Sequence, residues 1–219
     1  HILEGADHLL FLLCLVIPFR RFGALVLIVT SFTIAHSITL IASAYNLGPD
    51  ALWFPPLIEM LIALSIVYMA IENVIGTNVQ RRWMITFAFG LVHGFAFSFA
   101  LREQLQFAGD HLLISLLSFN VGVELGQLLV LIVLIPLLGF VFRRVVPERI
   151  GMIILSVLIG HTGWHWMTER AERLAQFPWP QWNAAMLAGA MRWLMALLVL
   201  AAAMWAVNIV LRKRGVRLK

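Results

Sequence analysis

The chain has 219 residues, of which 62% are hydrophobic and 12% charged, and its mean hydropathy is +0.93. Soluble domains hold about 45–50% apolar and about 25% charged residues. A chain this short cannot hide the excess in its own interior, so the composition predicts an all-α membrane protein. The net charge of +5 does not indicate nucleic-acid binding, because the basic residues lie in short clusters between apolar runs.

Seven apolar segments are long enough to cross a bilayer, which needs about 20 mostly apolar residues. They cover roughly residues 3–19, 22–45, 53–75, 82–101, 110–142, 148–168 and 186–211. The fifth would reach about 50 Å as one helix, against a hydrocarbon core of about 30 Å. It must therefore tilt, bend near Pro136 or begin as an interfacial turn. The sequence predicts a single transmembrane domain of about seven helices over residues 1–219.

The basic residues predict an orientation. Clusters at Arg20–Arg21, Arg81–Arg82 and Arg143–Arg149, together with the basic tail 212–219, fall on one side of the predicted bundle. The positive-inside rule makes that side cytoplasmic, with the N-terminus outside and the C-terminus inside. The expected location is a bacterial inner membrane. Near the same side we expect Glu72 and Asn73 to pair with Arg20, Arg81 or Arg82.

Polar and ionisable residues gather in the outer half of the predicted bilayer and come from six segments. Ionisable side chains inside spans cost roughly 2.5–3.5 kcal/mol each and mark functional sites. Six of the seven histidines belong to this set, and His111 at an interface is the exception. In chain order the set contains His1, Glu4, Asp7, His8, His36, Ser37, Glu59, His93, Asn120, Glu124, Gln127, His161 and His165.

Imidazoles and carboxylates together suit borderline divalent ions such as Zn²⁺, Ni²⁺ and Co²⁺. His161 and His165 lie one helical turn apart, a spacing that can chelate one ion. Cys14, the lone cysteine, cannot form a disulfide framework or a thiolate site within one chain. We therefore predict that a divalent transition metal, Zn²⁺ or Ni²⁺, is bound by His1, Asp7, His8, His36, His93, His161 and His165.

Further polar residues are predicted to orient these ligands through hydrogen bonds without binding the metal: Ser37, Glu59, Asn120, Glu124 and Gln127. For the stripe formed by Asn120, Glu124 and Gln127, interhelical hydrogen bonding alone is the alternative. Gly122 and Gly126 form a G-x-x-x-G pattern, which predicts close helix packing around that stripe.

Three functions fit this pattern. The first is a metal permease or accessory protein with its site open to the outer side, although the inner halves of the segments offer few polar groups for a path. The second is a membrane-embedded zinc hydrolase acting on a lipid or membrane protein, with a metal-bound water as nucleophile. Its general base would be Glu4, Asp7, Glu59 or Glu124, and Ser37 would bind the oxyanion. The third is a non-catalytic membrane protein with a structural metal.

Five ordered blocks carry a family resemblance: HILEGADHLLFLL, SFTIAHSITL, IEMLIALSIVYMAIEN, FGLVHGFAFSFAL and SFNVGVELGQ. Through them, residues 1–145 resemble the HupE/UreJ-like membrane proteins, named after hydrogenase and urease accessory proteins. The resemblance implies movement of nickel or a similar ion across the inner membrane for metalloenzyme assembly. It also implies an extra-cytoplasmic region ahead of His1, or a partner protein, and it leaves the oligomeric state open.

The resemblance carries a first-helix motif onto His1, Asp7 and His8. A second motif of nickel-accessory proteins has His-Gly followed by a carboxylate a few residues on. Here His93-Gly94 is followed by FAFS, without that carboxylate. Glu124 on the next helix is the candidate to supply the missing charge.

Overall fold

The computed structural model describes residues 5–45, 47–49, 51–76, 79–105 and 112–178, together with 188, 191 and 195. This part of the chain forms six helices and no strands, which confirms the all-α class. The helices are α1 (Ala6–Val16), α2 (Phe22–Ala44), α3 (Phe54–Ile75), α4 (Val79–Leu105), α5 (Leu112–Arg144) and α6 (Glu148–Ala175). The chain divides into the compact units His1–Pro178 and Trp179–Lys219. Nearly all of the second unit, including the predicted span 186–211, lies outside the described residues.

Four of the described helices are long and apolar enough to cross a membrane: α2, α3, α6 and the Ile114–Arg144 part of α5. They support a membrane protein with several spans. The fifth predicted segment is one unbroken helix from Leu112, which contains Pro136 in its interior. The segment is helical from residue 112 onward, so an interfacial turn within that part does not explain why the segment is longer than a bilayer requires.

The first predicted span, residues 3–19, is corrected by the structure. α1 has only 11 residues, about 16 Å at 1.5 Å per residue, or roughly half of a hydrocarbon core. Its last turn is inaccessible, since Cys14 to Ile17 are at most 1% exposed. This segment is apolar because other helices surround it, and Pro18 follows at once, where a helix loses a backbone donor.

Two helix pairs pack most closely, α2 with α4 and α3 with α6. The first contact depends on glycines of α4: a Cβ at Gly90 would lie 2.5 Å from the carbonyl oxygen of Phe32, and one at Gly94 would lie 2.3 Å from that of His36. By contrast, a Cβ at Gly122 would meet nothing within 4 Å. Gly122 therefore makes no close contact with a neighbouring helix, whereas Gly90 and Gly94, which also form a G-x-x-x-G pattern, do so on α4.

Ion pairs tie the helix ends together on two opposite sides. At one end, here called the Asp7 end, Arg170 contacts Asp7 and the backbone of Glu59. At the other, the Arg82 end, Arg20 on the α1–α2 loop forms an ion pair with Glu148 at the start of α6. The predicted grouping of Arg20 with the loop before α6 is thus confirmed, whereas which end faces the cytoplasm stays a prediction.

The Arg82 end is also closed from inside by a buried polar network. Arg82 is 0% exposed and donates to the carbonyl of Cys14 and to Asn73 Oδ1, at 2.8 and 3.0 Å. Its Nη1 lies 3.4 Å from a Glu72 carboxylate oxygen. The predicted pairing of Glu72 and Asn73 with an arginine is confirmed. The network satisfies a carbonyl that the end of α1 leaves without a helical partner.

Candidate metal-binding site

His36 lies on the face of α2 that is turned toward α5. Its Nδ1 is 3.0 Å from Asn120 Oδ1, while Asn120 Nδ2 donates to the Leu116 carbonyl at 2.9 Å. Because the amide nitrogen is committed to Leu116, the oxygen faces the imidazole and must accept. The proton of His36 is therefore on Nδ1, and its Nε2 carries a lone pair. That Nε2 is buried and has no hydrogen-bond partner among the described residues.

His93 on α4 repeats this arrangement. Its Nδ1 lies 2.8 Å from the carbonyl oxygen of Phe89, one helical turn earlier. A carbonyl only accepts, so Nδ1 is again the protonated nitrogen and Nε2 the basic one. His93 is 0% exposed, and its Nε2 also lacks a partner in the described part of the chain. Two buried imidazoles thus present basic nitrogens with fixed tautomers.

His8, in the first turn of α1, joins these two rings. Its ring centroid is 5.2 Å from that of His93 and 6.2 Å from that of His36. Two imidazoles bound through Nε2 to one tetrahedral ion, with metal–nitrogen bonds of about 2.1 Å, have centroids about 5 Å apart. The His8–His93 separation matches this value, and the His8–His36 separation is wider by about 1 Å. Three helices therefore bring His36 and His93 each next to His8.

In this conformation the three histidines are not positioned to bind one metal ion together. Within the residues that the structure describes, no group of three or more His, Cys, Asp or Glu side chains is positioned to hold an ion. The wider separation is on the His36 side, where the ring centroids of His8 and His36 lie 6.2 Å apart. The donor set, made of neutral imidazoles, nevertheless suits Ni²⁺, Co²⁺ or Zn²⁺.

Aromatic rings enclose the three histidines. Toward the Arg82 end, the rings of Phe11 and Phe32 lie 5.2 and 5.1 Å from that of His93. Toward the Asp7 end, Phe97 lies 6.2 Å from His36 and stacks on Phe119 at 4.2 Å. The site is thus covered by apolar rings in both directions along the bundle.

Arg170 contacts both acidic residues at the Asp7 end. Both carboxylate oxygens of Asp7 accept from Arg170 Nη2, at 3.0 and 3.3 Å, although Asp7 precedes His8 in the chain. Glu59 is exposed on α3, and its backbone carbonyl accepts from Arg170 Nη1 at 3.0 Å. These contacts make Asp7 and Glu59 parts of a joint between α1, α3 and α6.

The polar stripe of α5, formed by Asn120, Glu124 and Gln127, faces α2 and makes hydrogen bonds to it. Glu124 accepts from Thr30 at 2.7 Å, and Gln127 Oε1 lies 3.3 Å from the Thr33 hydroxyl. Of the stripe, only Asn120 contacts one of the clustered histidines. Ser37 donates to the carbonyl of Thr33, within its own helix, at 2.7 Å. The stripe therefore makes the predicted interhelical hydrogen bonds, from Asn120 to His36 and from the other two residues to threonines of α2.

His161 and His165 form a separate pair. Both are exposed on α6, and their rings contact each other at 4.5 Å. No ring contact joins them to the buried cluster in the described part of the chain. Two predicted residues, His1 and Glu4, lie outside the described residues, and so does His111.

Two contributors were not predicted from the sequence, Arg170 and Thr30. Thr30, Thr33 and Ser37 follow one another at spacings of three and four, which puts their hydroxyls on one face of α2. The polar stripe of α5 was predicted from the same spacing. The pairing of the hydroxyl face of α2 with the polar stripe of α5 could therefore have been predicted from the sequence. Nothing in the sequence around Arg170 pointed to Asp7, 163 positions away.

Comparisons with known proteins identify the family. The family model described as HupE / UreJ protein matches residues 1–170, more than three quarters of the chain, so the chain belongs to the HupE/UreJ family. Neither the curated proteins nor the solved structures contain a match. The match covers α1 to α5 and most of α6, and so includes all three clustered histidines.

Proposed function

We propose that this member of the HupE/UreJ family binds a divalent transition-metal ion between His8, His36 and His93 and moves it across the membrane as cargo. The observation that carries the proposal is the fixed tautomer of His36 and His93. In each ring an acceptor holds the Nδ1 proton, which leaves a buried Nε2 lone pair beside His8. A hydrogen-bonded Nδ1 is the usual way in which proteins orient a metal-binding imidazole.

The ion is nickel or cobalt in the first instance, because the family is associated with the handling of these metals. Imidazole ligands accept Ni²⁺, Co²⁺ and Zn²⁺ alike, so zinc is the competing cargo. Neutral imidazole nitrogens favour release as well as binding, which a carrier needs. This property separates a cargo site from a structural one.

Transport requires a second conformation. The aromatic rings and the buried Arg82 close the cluster toward the Arg82 end, and Phe97 with Phe119 cover it on the other side. We interpret this arrangement as an occluded state of a permease. The protein would sit in a bacterial inner membrane, with its Asp7 end toward the outside.

The hydrolase alternative is less well supported, because three of its proposed catalytic groups contact other partners in the fold. Asp7 contacts Arg170, Glu124 accepts from Thr30, and Ser37 donates within its own helix. Glu59 is exposed on α3. Of the four candidate bases, only Glu4 lies outside the described residues.

The test is uptake by the purified full chain in proteoliposomes that contain a metal-sensitive dye, with Ni²⁺, Co²⁺ or Zn²⁺ outside. We expect saturable uptake that His93→Ala or His36→Ala abolishes. His161→Ala is the matched control, an exposed histidine whose loss leaves uptake unchanged. Tight binding of one ion without any flux would contradict the permease and favour the structural-metal alternative.

A further inference from the structure

A cavity of about 620 Å³ opens at the Arg82 end, away from the histidine cluster. It lies along the C-terminal turns of α5, next to the α1–α2 loop and the start of α6. Its charged lining residues are Arg20, Arg143, Arg144 and Glu148, and its apolar lining includes Ile135 and Gly139. Neither metal binding nor the helix packing described above uses this cavity.

The charged part of the cavity is positive. Three guanidinium groups face one carboxylate, and Arg20 already forms an ion pair with Glu148. Arg143 and Arg144 are exposed in the last turn of α5 and have no acidic partner in the described part of the chain. Guanidinium groups bind phosphate in a bidentate fashion, so this rim suits a phosphate group.

The deeper part of the cavity is apolar and runs along the helix. From Arg144 back to Ile135 the rise is about 13.5 Å, at 1.5 Å per residue. Gly139 lies between them, and a Cβ there would meet nothing within 4 Å. The space beside Gly139, called the apolar channel below, is thus open, and it belongs to the same cavity as the arginines of this helix end.

We propose that this cavity binds one anionic phospholipid, with its phosphate on Arg20, Arg143 and Arg144 and an acyl chain beside Gly139. Positive pockets at the helix ends of membrane proteins select anionic headgroups in this way. A zwitterionic lipid carries no net charge to match the excess of arginine. A free phosphate compound would fill the rim and leave the apolar channel unused.

The test is native mass spectrometry of the delipidated full chain with phosphatidylglycerol, with phosphatidylcholine of the same acyl chains, and with glycerol phosphate. We expect one retained phosphatidylglycerol and at least about tenfold weaker binding of the other two. The double variant Arg143→Gln/Arg144→Gln should lose this preference. Arg81→Gln, which removes an exposed arginine from the start of α4 that does not line the cavity, is the matched control and should keep it.

Gly139→Leu separates the two halves of the proposal, since it fills the channel and leaves every arginine in place. It should reduce phosphatidylglycerol binding about tenfold without a change in melting temperature, because the added side chain meets open space. Equal binding of both phospholipids would overturn the headgroup assignment. Unchanged lipid binding by Gly139→Leu, or glycerol phosphate binding as tight as that of the lipid, would overturn the acyl-chain assignment.

Discussion

Replacing Gly94 with alanine tests whether the α2–α4 contact holds the histidine cluster together. The new Cβ would lie 2.3 Å from the His36 carbonyl oxygen and 2.1 Å from Thr39 Oγ1. Carbon–oxygen contacts normally begin at about 3.3 Å. The threonine side chain can rotate away, but the backbone carbonyl cannot. The two helices must therefore separate by about 1 Å.

Overpacking of this kind costs about 1–3 kcal/mol, and here it also moves His93 away from His8 and His36. We expect Gly94→Ala to lower both the thermal stability and the nickel affinity of the purified protein, measured by melting in detergent and by competition with a chelating dye. The matched control is Gly122→Ala, in a helix where the added Cβ meets open space. Wild-type stability and affinity in Gly94→Ala would refute the reasoning.

Three further changes probe single contacts. Asn120→Leu removes the acceptor that orients His36, and we expect nickel affinity to fall about 10–100-fold in dye competition, whereas Gln127→Leu should leave it unchanged. Arg82→Met leaves the Cys14 carbonyl and Asn73 without their donor and leaves the partly buried Glu72 without its ion-pair partner, so it should lower the free energy of unfolding by about 3–5 kcal/mol. His161→Ala/His165→Ala should not alter the affinity of the buried site, and a loss in dye competition would add this pair to the ligand set.

The class of protein and two of the buried histidines were readable from the sequence. Apolar runs of spanning length predicted the long helices, and the cost of burying ionisable groups pointed to His36 and His93. The sequence did not predict that α1 is a short internal helix. Its apolar run reads the same whether lipid or protein surrounds it, and only tertiary packing decides between them.

The sequence also did not predict which residues contact each other between helices. Asp7 is next to His8 in the sequence, and helical periodicity gave no reason to separate them. In the fold Asp7 turns to Arg170, because an arginine from α6 reaches the first turn of α1. Similarly, the H-x-x-x-H spacing of His161 and His165 predicted chelation, but that face of α6 is exposed. Spacing within one helix fixes which residues share a face, not what that face meets.

The most direct test of the metal site is X-ray absorption spectroscopy at the nickel edge, with the purified full chain loaded to saturation. The histidine cluster predicts one ion per chain, with imidazole nitrogens in its coordination shell at about 2.1 Å. It also predicts that His93→Ala loses the ion or one of these nitrogens, while His161→Ala gives the wild-type spectrum. An ion whose coordination shell is identical in wild type and His93→Ala, or no bound ion at all, would contradict the account.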